Sequence, residues 1–93
     1  MSAVVKRNGR RQKFDEKKLR RSVDKAAAEA GIPDKRRLDL VDSVSVAVVS
    51  SLKGKMEIHA GDLREIVLAR LDRSEPLVAR HWRDFDRETK GLA

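Results

Sequence analysis

The sequence predicts an α+β fold: a four-helix bundle capped at one end by a small three-stranded sheet built on an N-terminal β-hairpin. Three observations predict it. First, Asn8-Gly9 separates two short strand-like stretches, residues 3–6 and 11–14, and Asn-Gly is the preferred pair for a type I′ turn because both central residues need positive φ. Second, four later segments repeat apolar residues at helical spacing and are bounded by Gly, Pro or capping residues. Third, Met56-Glu57-Ile58 falls between the second and third of these segments and is short enough to be a third strand beside the hairpin. The chain is 93 residues long, enough for one domain, residues 1–93, with a single modest core.

An isolated hairpin is marginal in water, so its apolar side, Val5 and Phe14 with Ala3, must pack on something. Asp15 is placed to cap the first helix, over residues 16–30, its carboxylate accepting from the first free amides. Leu19, Val23, Ala26, Ala27 and Ala30 share one face of that helix, Gly31 suits the C′ position, and Pro33 prevents continuation. The next segment, residues 35–52, has two readings, since Val44, Val46 and Val48 alternate as in a strand. Length decides for helix: the run holds no Gly or Pro, and Leu38, Val41, Val44, Val48 and Leu52 recur at helical spacing. Lys53-Gly54-Lys55 ends it. A third helix begins near Ala60 or Gly61 and turns Leu63, Ile66, Val67 and Leu71 inward. Ser74 is read as the cap of the last helix, with Glu75 and Pro76 in its permitted first turn and Val78, Trp82 and Phe85 as its apolar stripe.

The net charge is +7, with 22 Lys+Arg against 15 Asp+Glu, a balance that favours polyanions such as nucleotides or nucleic acid. A soluble protein with a mixed charged surface explains the total equally well. Position says more than the total. Residues 6–21 hold nine Lys or Arg against Asp15 and Glu16 alone. Lys17, Lys18, Arg20 and Arg21 crowd the first turns of a helix, where the dipole is already positive, and Lys6 and Arg7 arrive at the hairpin turn. Repulsion concentrated in this way points to an anion at the corner made by Lys6, Arg7 and Lys18. The free amides of the helix start would add donors for phosphate oxygens. The plainer reading is a solvated basic face.

Other chemistry is thin. With no cysteine there is neither a disulfide framework nor a cysteine-ligated zinc. His59 and His81 lie far apart in the sequence, which gives no metal site. Gly54-Lys55 lacks the remaining residues of a phosphate-binding loop. Trp82 and Phe85 belong to a core stripe, which leaves no aromatic platform for single-stranded nucleic acid. No nucleophile–base or carboxylate pair stands out, so no catalytic site and no enzyme are expected. No apolar run approaches the length of a membrane span, and the N-terminus shows no apolar signal segment; the expectation is a cytoplasmic protein.

Val5-Lys6-Arg7-Asn8-Gly9, followed by Phe14-Asp15 and Lys18-Leu19, resembles the opening of the ATP-cone domain. That family is the nucleotide-sensing module of many ribonucleotide reductases and of the bacterial repressor of their genes. The resemblance runs on to Val78-Ala79-Arg80 and Phe85-Asp86-Arg87-Glu88, and so covers roughly residues 3–88. It implies a four-helix domain with a three-stranded sheet that binds ATP or dATP as an effector, with or without Mg2+, and does not hydrolyse it. It also implies the site: Lys6, Arg7 and Lys18 on the phosphates, Val4 or Val5 over the base, and Gln12 and Asp15 orienting base or ribose. A polar contact from the third helix falls near Arg64. There are departures. Asn8 stands where the family has Asp, Gln12 where it commonly has Glu, and Ala60 where some relatives have a hydroxyl. The implied partners are further copies of the domain, a ribonucleotide reductase or a transcription regulator. Two other readings stay open: a small basic protein that contacts nucleic-acid phosphates without reading bases, and a pure assembly domain whose nucleotide site has decayed.

Overall fold

The computed structural model describes the backbone of residues 2–89 and the side chains of residues 2–84. The elements run β1 (Ala3–Val5), β2 (Arg11–Lys13), α1 (Glu16–Glu29), α2 (Asp34–Leu52), β3 (Glu57–His59), α3 (Ala60–Ser74) and α4 (Pro76–Thr89). The expected architecture of four helices and a small sheet is therefore present. β1 is the central strand, antiparallel to β2 and parallel to β3. The third strand sits one residue later than expected, and Met56 contributes only its carbonyl, which accepts from Ala3 N–H at 3.0 Å.

The hairpin turn differs from the two-residue type I′ expected of Asn-Gly. Lys6 N–H donates to the Arg10 carbonyl and Gly9 N–H to the Lys6 carbonyl, both at 2.8 Å. The loop thus holds three residues, Arg7, Asn8 and Gly9, with Gly9 at φ 87° in the left-handed region. Such a loop is a type I turn closed by a left-handed residue. The Asn8 side-chain oxygen accepts from Arg10 N–H at 3.0 Å, a local bond that competes with the tighter turn. The extra loop residue sets the register at Val4 opposite Gln12 and Val5 opposite Arg11. It is Val4 that is buried against the helices, at 6% exposure, while Ala3 and Val5 are half-buried on the other face. This corrects the expectation that Val5 leads the packed side. Phe14 does pack against the core.

Helix ends follow the local chemistry. Asp15 is extended and its carboxylate accepts from Lys18 N–H at 3.2 Å. At the other end of α1, Gly31 N–H reaches the Ala28 carbonyl and Ile32 N–H the Ala27 carbonyl, both at 3.0 Å, with Gly31 at φ 84°. This paired bond satisfies the last carbonyls and folds Ile32 into the core. Ser74 is not a cap: α3 continues through it, Glu75 alone separates the helices, and Pro76 opens α4. The Glu75 carbonyl accepts from Val78 and Ala79 N–H. Proline suits a first helical position because its missing N–H would have had no partner there.

The core joins Val4 and Ile58 from the sheet to Leu19, Val23, Ala26 and Ala27 of α1, Val41, Val44 and Val48 of α2, Leu63, Val67 and Leu71 of α3, and Val78 and Trp82 of α4. The alternating valines do form a helix, and Val46 points outward at 65% exposure. Leu38 was expected inside and is 59% exposed. The packed face steps back from Val44 through Val41 and Leu40 to half-buried Arg37, which leaves Leu38 on the flank. Arg37 holds the α1–α2 connection, bonding Asp24 and Asp34 at 2.9 Å each. Its bond to Asp24 raises the guanidinium further above its ordinary range. Ile66 is half-buried against the core; Phe85 lies outside the residues whose side chains are described.

One polar thread crosses this core. Trp82 Nε1–H donates to Ser22 Oγ at 3.2 Å, and Ser22 Oγ–H donates to the Leu19 carbonyl at 2.8 Å, tying α4 to α1. Ser45, also buried, donates to Glu16 Oε2 at 2.6 Å and joins α2 to the start of α1. Among the described residues, no buried side-chain nitrogen or oxygen lacks a partner.

Candidate functional site

The hairpin turn and the start of α1 lie at the sheet end of the molecule because β2 is short and passes into the capped helix through Phe14 and Asp15 alone. Alternation along β1 puts Val4 on the helix-facing side and Val5 on the open side. The next residue, Lys6, returns to the helix-facing side, half-buried, and Arg7 occupies the exposed first position of the turn. Gln12, opposite Val4, shares that helix-facing side from the edge strand and remains exposed. Val4, Lys6 and Gln12 therefore converge on one face of the hairpin, while Val5 stands on the other.

Asp15 and Lys18 come next. The Asp15 carboxylate is engaged by the Lys18 backbone N–H, which leaves the Lys18 ammonium outside the cap. Lys18 is half-buried, and its side chain leans back toward the helix N-terminus, as helical side chains do. Lys6, Arg7 and Lys18 form no ion pair among the described residues. Other arginines do: Arg11 bridges Glu57 at 3.1 Å, Arg20 pairs with Asp42, Arg36 with Glu75, and Arg83 with Asp72 at 3.1 Å. A helix N-terminus carries a positive partial charge; Lys18 stands unpaired in the first turn of α1, and Lys6 and Arg7 are unpaired at the hairpin turn, at the other end of β2. A group with several negative oxygens would complement these cations.

The third helix starts at the hairpin-turn end of the strands, opposite the end from which α1 leaves. Parallel pairing sets His59 beside Val5, and α3 begins at the following residue with buried Ala60. Arg64 lies one turn into α3, half-buried and engaged with other groups. His59, set aside as a metal ligand, is thus a neighbour of β1 at the sheet-to-helix junction. The only signal for it in the sequence was its place directly after Ile58 in a strand whose partner was unknown. Among the described residues, no three His, Asp or Glu gather as a metal site would need. Among the described residues, no helix is long and apolar enough to cross a membrane.

A groove of about 1040 Å³ opens beside β2, bounded by the first turn of α1 and the end of α2. It takes in Gln12 and Asp15 but not Lys6, Arg7 or Lys18. The basic corner and the groove are adjacent and distinct.

The ATP cone domain family matches residues 2–88 of the chain. Proteins named transcriptional repressor NrdR are similar to it. That of Thermosynechococcus vestitus is 29% identical over 90 residues, which cover 97% of this chain and 54% of the relative. That of Gloeobacter violaceus is 29% identical over 92 residues, 99% of this chain and 52% of the relative. That of Hyphomonas neptunium is 35% identical over 86 residues, 88% of this chain and 53% of the relative. The chain spans about half the length of these curated relatives. With the family matched over nearly its whole length and its four-helix, three-stranded architecture in place, the chain belongs to the ATP-cone domain family.

Proposed function

We propose that this nucleotide-sensing domain binds ATP or dATP at the corner between the hairpin and α1 and acts as a regulatory module without catalysis. The observation that carries the reading is that Lys6 and Arg7 at the hairpin turn and Lys18 in the first turn of α1 form no ion pair among the described residues, whereas Arg11, Arg20, Arg36 and Arg37 do. Lys6 and Lys18 approach the phosphates from the strand and the helix, and Arg7 from the turn. Val4 or Val5 gives apolar cover to the base, Val4 from the side that it shares with Gln12. Gln12 and Asp15 orient the base or ribose, and Arg64 adds a contact from α3. Magnesium, where present, rides on the phosphates.

Regulation requires that ATP and dATP stabilise two states of association unequally, since a ligand with equal affinity for both shifts nothing. The partner in that association is a second copy, a ribonucleotide reductase or a transcription regulator. The names of the relatives favour a part in transcriptional repression. Calorimetric titration with ATP, dATP and GTP, with and without magnesium, tests the site. Saturable binding of the adenine nucleotides, tighter than that of GTP, is expected. Absence of heat and of thermal stabilisation at millimolar ATP and dATP refutes it.

A further inference from the structure

The hairpin turn carries chemistry of its own. Asn8 is the one asparagine of the chain, and a glycine follows it. Both residues are exposed, and a Cβ built at Gly9 would meet nothing within 4 Å, so the space around their peptide bond is open. The Asn8 carboxamide is already held in the turn, its Oδ1 accepting from Arg10 N–H at 3.0 Å. That donor is aimed at the atom on which negative charge appears when the side-chain carbon Cγ is attacked, and a donor in place beforehand favours such a step. Arg7 and Arg10 flank the pair, and residues 2–13 contain no acid. Neighbouring cations favour the anionic form of a group, here the Gly9 amide nitrogen once its proton is gone.

We propose that Asn8 is a site of spontaneous deamidation in the folded chain, through a succinimide formed with Gly9. Solvent base takes the proton of Gly9 N–H. The nitrogen attacks Asn8 Cγ and closes a five-membered ring, and the Cγ–Nδ2 bond breaks, Nδ2 leaving as ammonia. Water then opens the ring at either carbonyl. The product is aspartate or isoaspartate at position 8, which lowers the net charge of +7 by one. Glycine suits the step because no Cβ shields its nitrogen. The turn sets the rate: Gly9 N–H donates to the Lys6 carbonyl at 2.8 Å and must first be released. A single bond in an exposed turn opens at the low end of local free energies, so the folded chain reacts more slowly than the unfolded one, yet it reacts. Aspartate keeps an oxygen for Arg10 N–H. Isoaspartate routes the main chain through the former side chain and adds a methylene to the loop, which strains the Val5–Arg11 pairing. Where Lys6 and Arg7 hold phosphates, as proposed above, the new carboxylate also repels them; the reaction itself does not rest on that reading.

The test keeps the whole chain, without nucleotide, at mildly alkaline pH and below its melting temperature, beside the same chain in urea. Whole-protein mass, cation exchange and labelling by an isoaspartate-specific methyltransferase follow the reaction. The folded protein is expected to lose one positive charge on cation exchange, with the mass change of one amide becoming one acid, at a rate that rises with pH. Asn8→Asp marks the elution of the aspartate product, and the methyl label marks the isoaspartate. Asn8→Gln should keep its charge, because its ring would close less readily, and it also checks Gln12, the other carboxamide of the chain. The proposal is overturned if the folded chain is unchanged after about thirty half-times of the urea-unfolded chain. It is equally overturned if no product takes the methyl label, since direct hydrolysis of the side chain yields aspartate alone, or if Asn8→Gln loses charge as fast as the parent. Nucleotide binding is measured separately on fresh protein, so its failure leaves this result standing.

Discussion

Lys18 holds two positions at once: its backbone N–H belongs to the Asp15 cap, and its ammonium stands in the first turn of a helix without an acid to meet it. A lysine there is disfavoured by about 0.3–1 kcal/mol when exposed. Lys18→Ala should therefore leave the empty domain as stable as the parent or slightly more so in urea denaturation. The same change removes a charge-assisted contact to phosphate, about 1.5–3 kcal/mol, and should weaken ATP and dATP binding by calorimetry. A lysine with a purely structural role would not give opposite signs. Unchanged affinity, or a substantial loss of apo stability, would show that the corner is wrongly assigned. Gly9 makes a different demand. Its φ of 87° is costly for any residue with a Cβ, although a Cβ there would meet nothing within 4 Å. The cost of Gly9→Ala is then conformational alone, about 1–2 kcal/mol, and should appear as a lower urea midpoint with an unchanged slope. Affinity should fall too, since the turn that carries Arg7 must relax.

At the scale of elements, the α1–α4 contact hangs on a buried hydrogen bond whose two ends are not equivalent. Ser22→Ala leaves the Trp82 indole N–H buried with no acceptor, which costs about 1–3 kcal/mol. Trp82→Phe leaves Ser22 with its bond to Leu19 intact, so its cost comes from the lost bond and from the smaller ring. Because the two changes break one bond, the double variant should lose less than the sum; additive losses in a denaturation cycle would deny the coupling. What was legible in the sequence divides along the same physical line. The caps at Asp15 and Gly31 were legible because the bonds that they make are local. The helix over the alternating valines was legible from an uninterrupted length that no strand of this domain approaches. The turn at Asn8-Gly9 was not, since the pair suits both a two-residue loop and a three-residue loop with Gly9 left-handed. That single residue decides whether Gln12 faces Val4 or Val5, because a one-residue slip exchanges the faces of a strand. Leu38 was misplaced for a related reason: periodicity marks a stripe, but where the stripe stops depends on the neighbour, and here Arg37 takes the packed position. The cations of the site could be read as a cluster. Which of them remain unpaired could not, because that depends on where Asp42, Glu57 and Glu75 come to lie in the folded chain.

For the molecule as a whole, the net charge of +7 will draw polyanions whatever the specific ligand, so nucleotide recognition must be separated from general attraction. Most of the excess lies in residues 6–21, which the fold gathers at the sheet end and the start of α1. If duplex DNA binds there, it has Lys6, Arg7 and Lys18 to use on phosphates and no element shaped to enter a groove and read base edges. Affinity should then be weak and indifferent to sequence. With three phosphate contacts, the slope of log K against log salt is about −2.7, a loss of about 40-fold between 50 and 200 mM. Adenine nucleotide, held in addition by apolar cover and hydrogen bonds, should depend on salt less steeply. It should also raise the melting temperature as its concentration passes the dissociation constant, since a ligand of the folded state stabilises by mass action. Because both ligands need the same cations, ATP should displace DNA, and Lys18→Ala should weaken both. Anisotropy with labelled duplexes of two unrelated sequences, at two salt concentrations and with ATP added, reads all of these effects. Tight, sequence-selective DNA binding that ATP leaves untouched would move the function from nucleotide sensing to nucleic-acid recognition and would require a second surface to carry it.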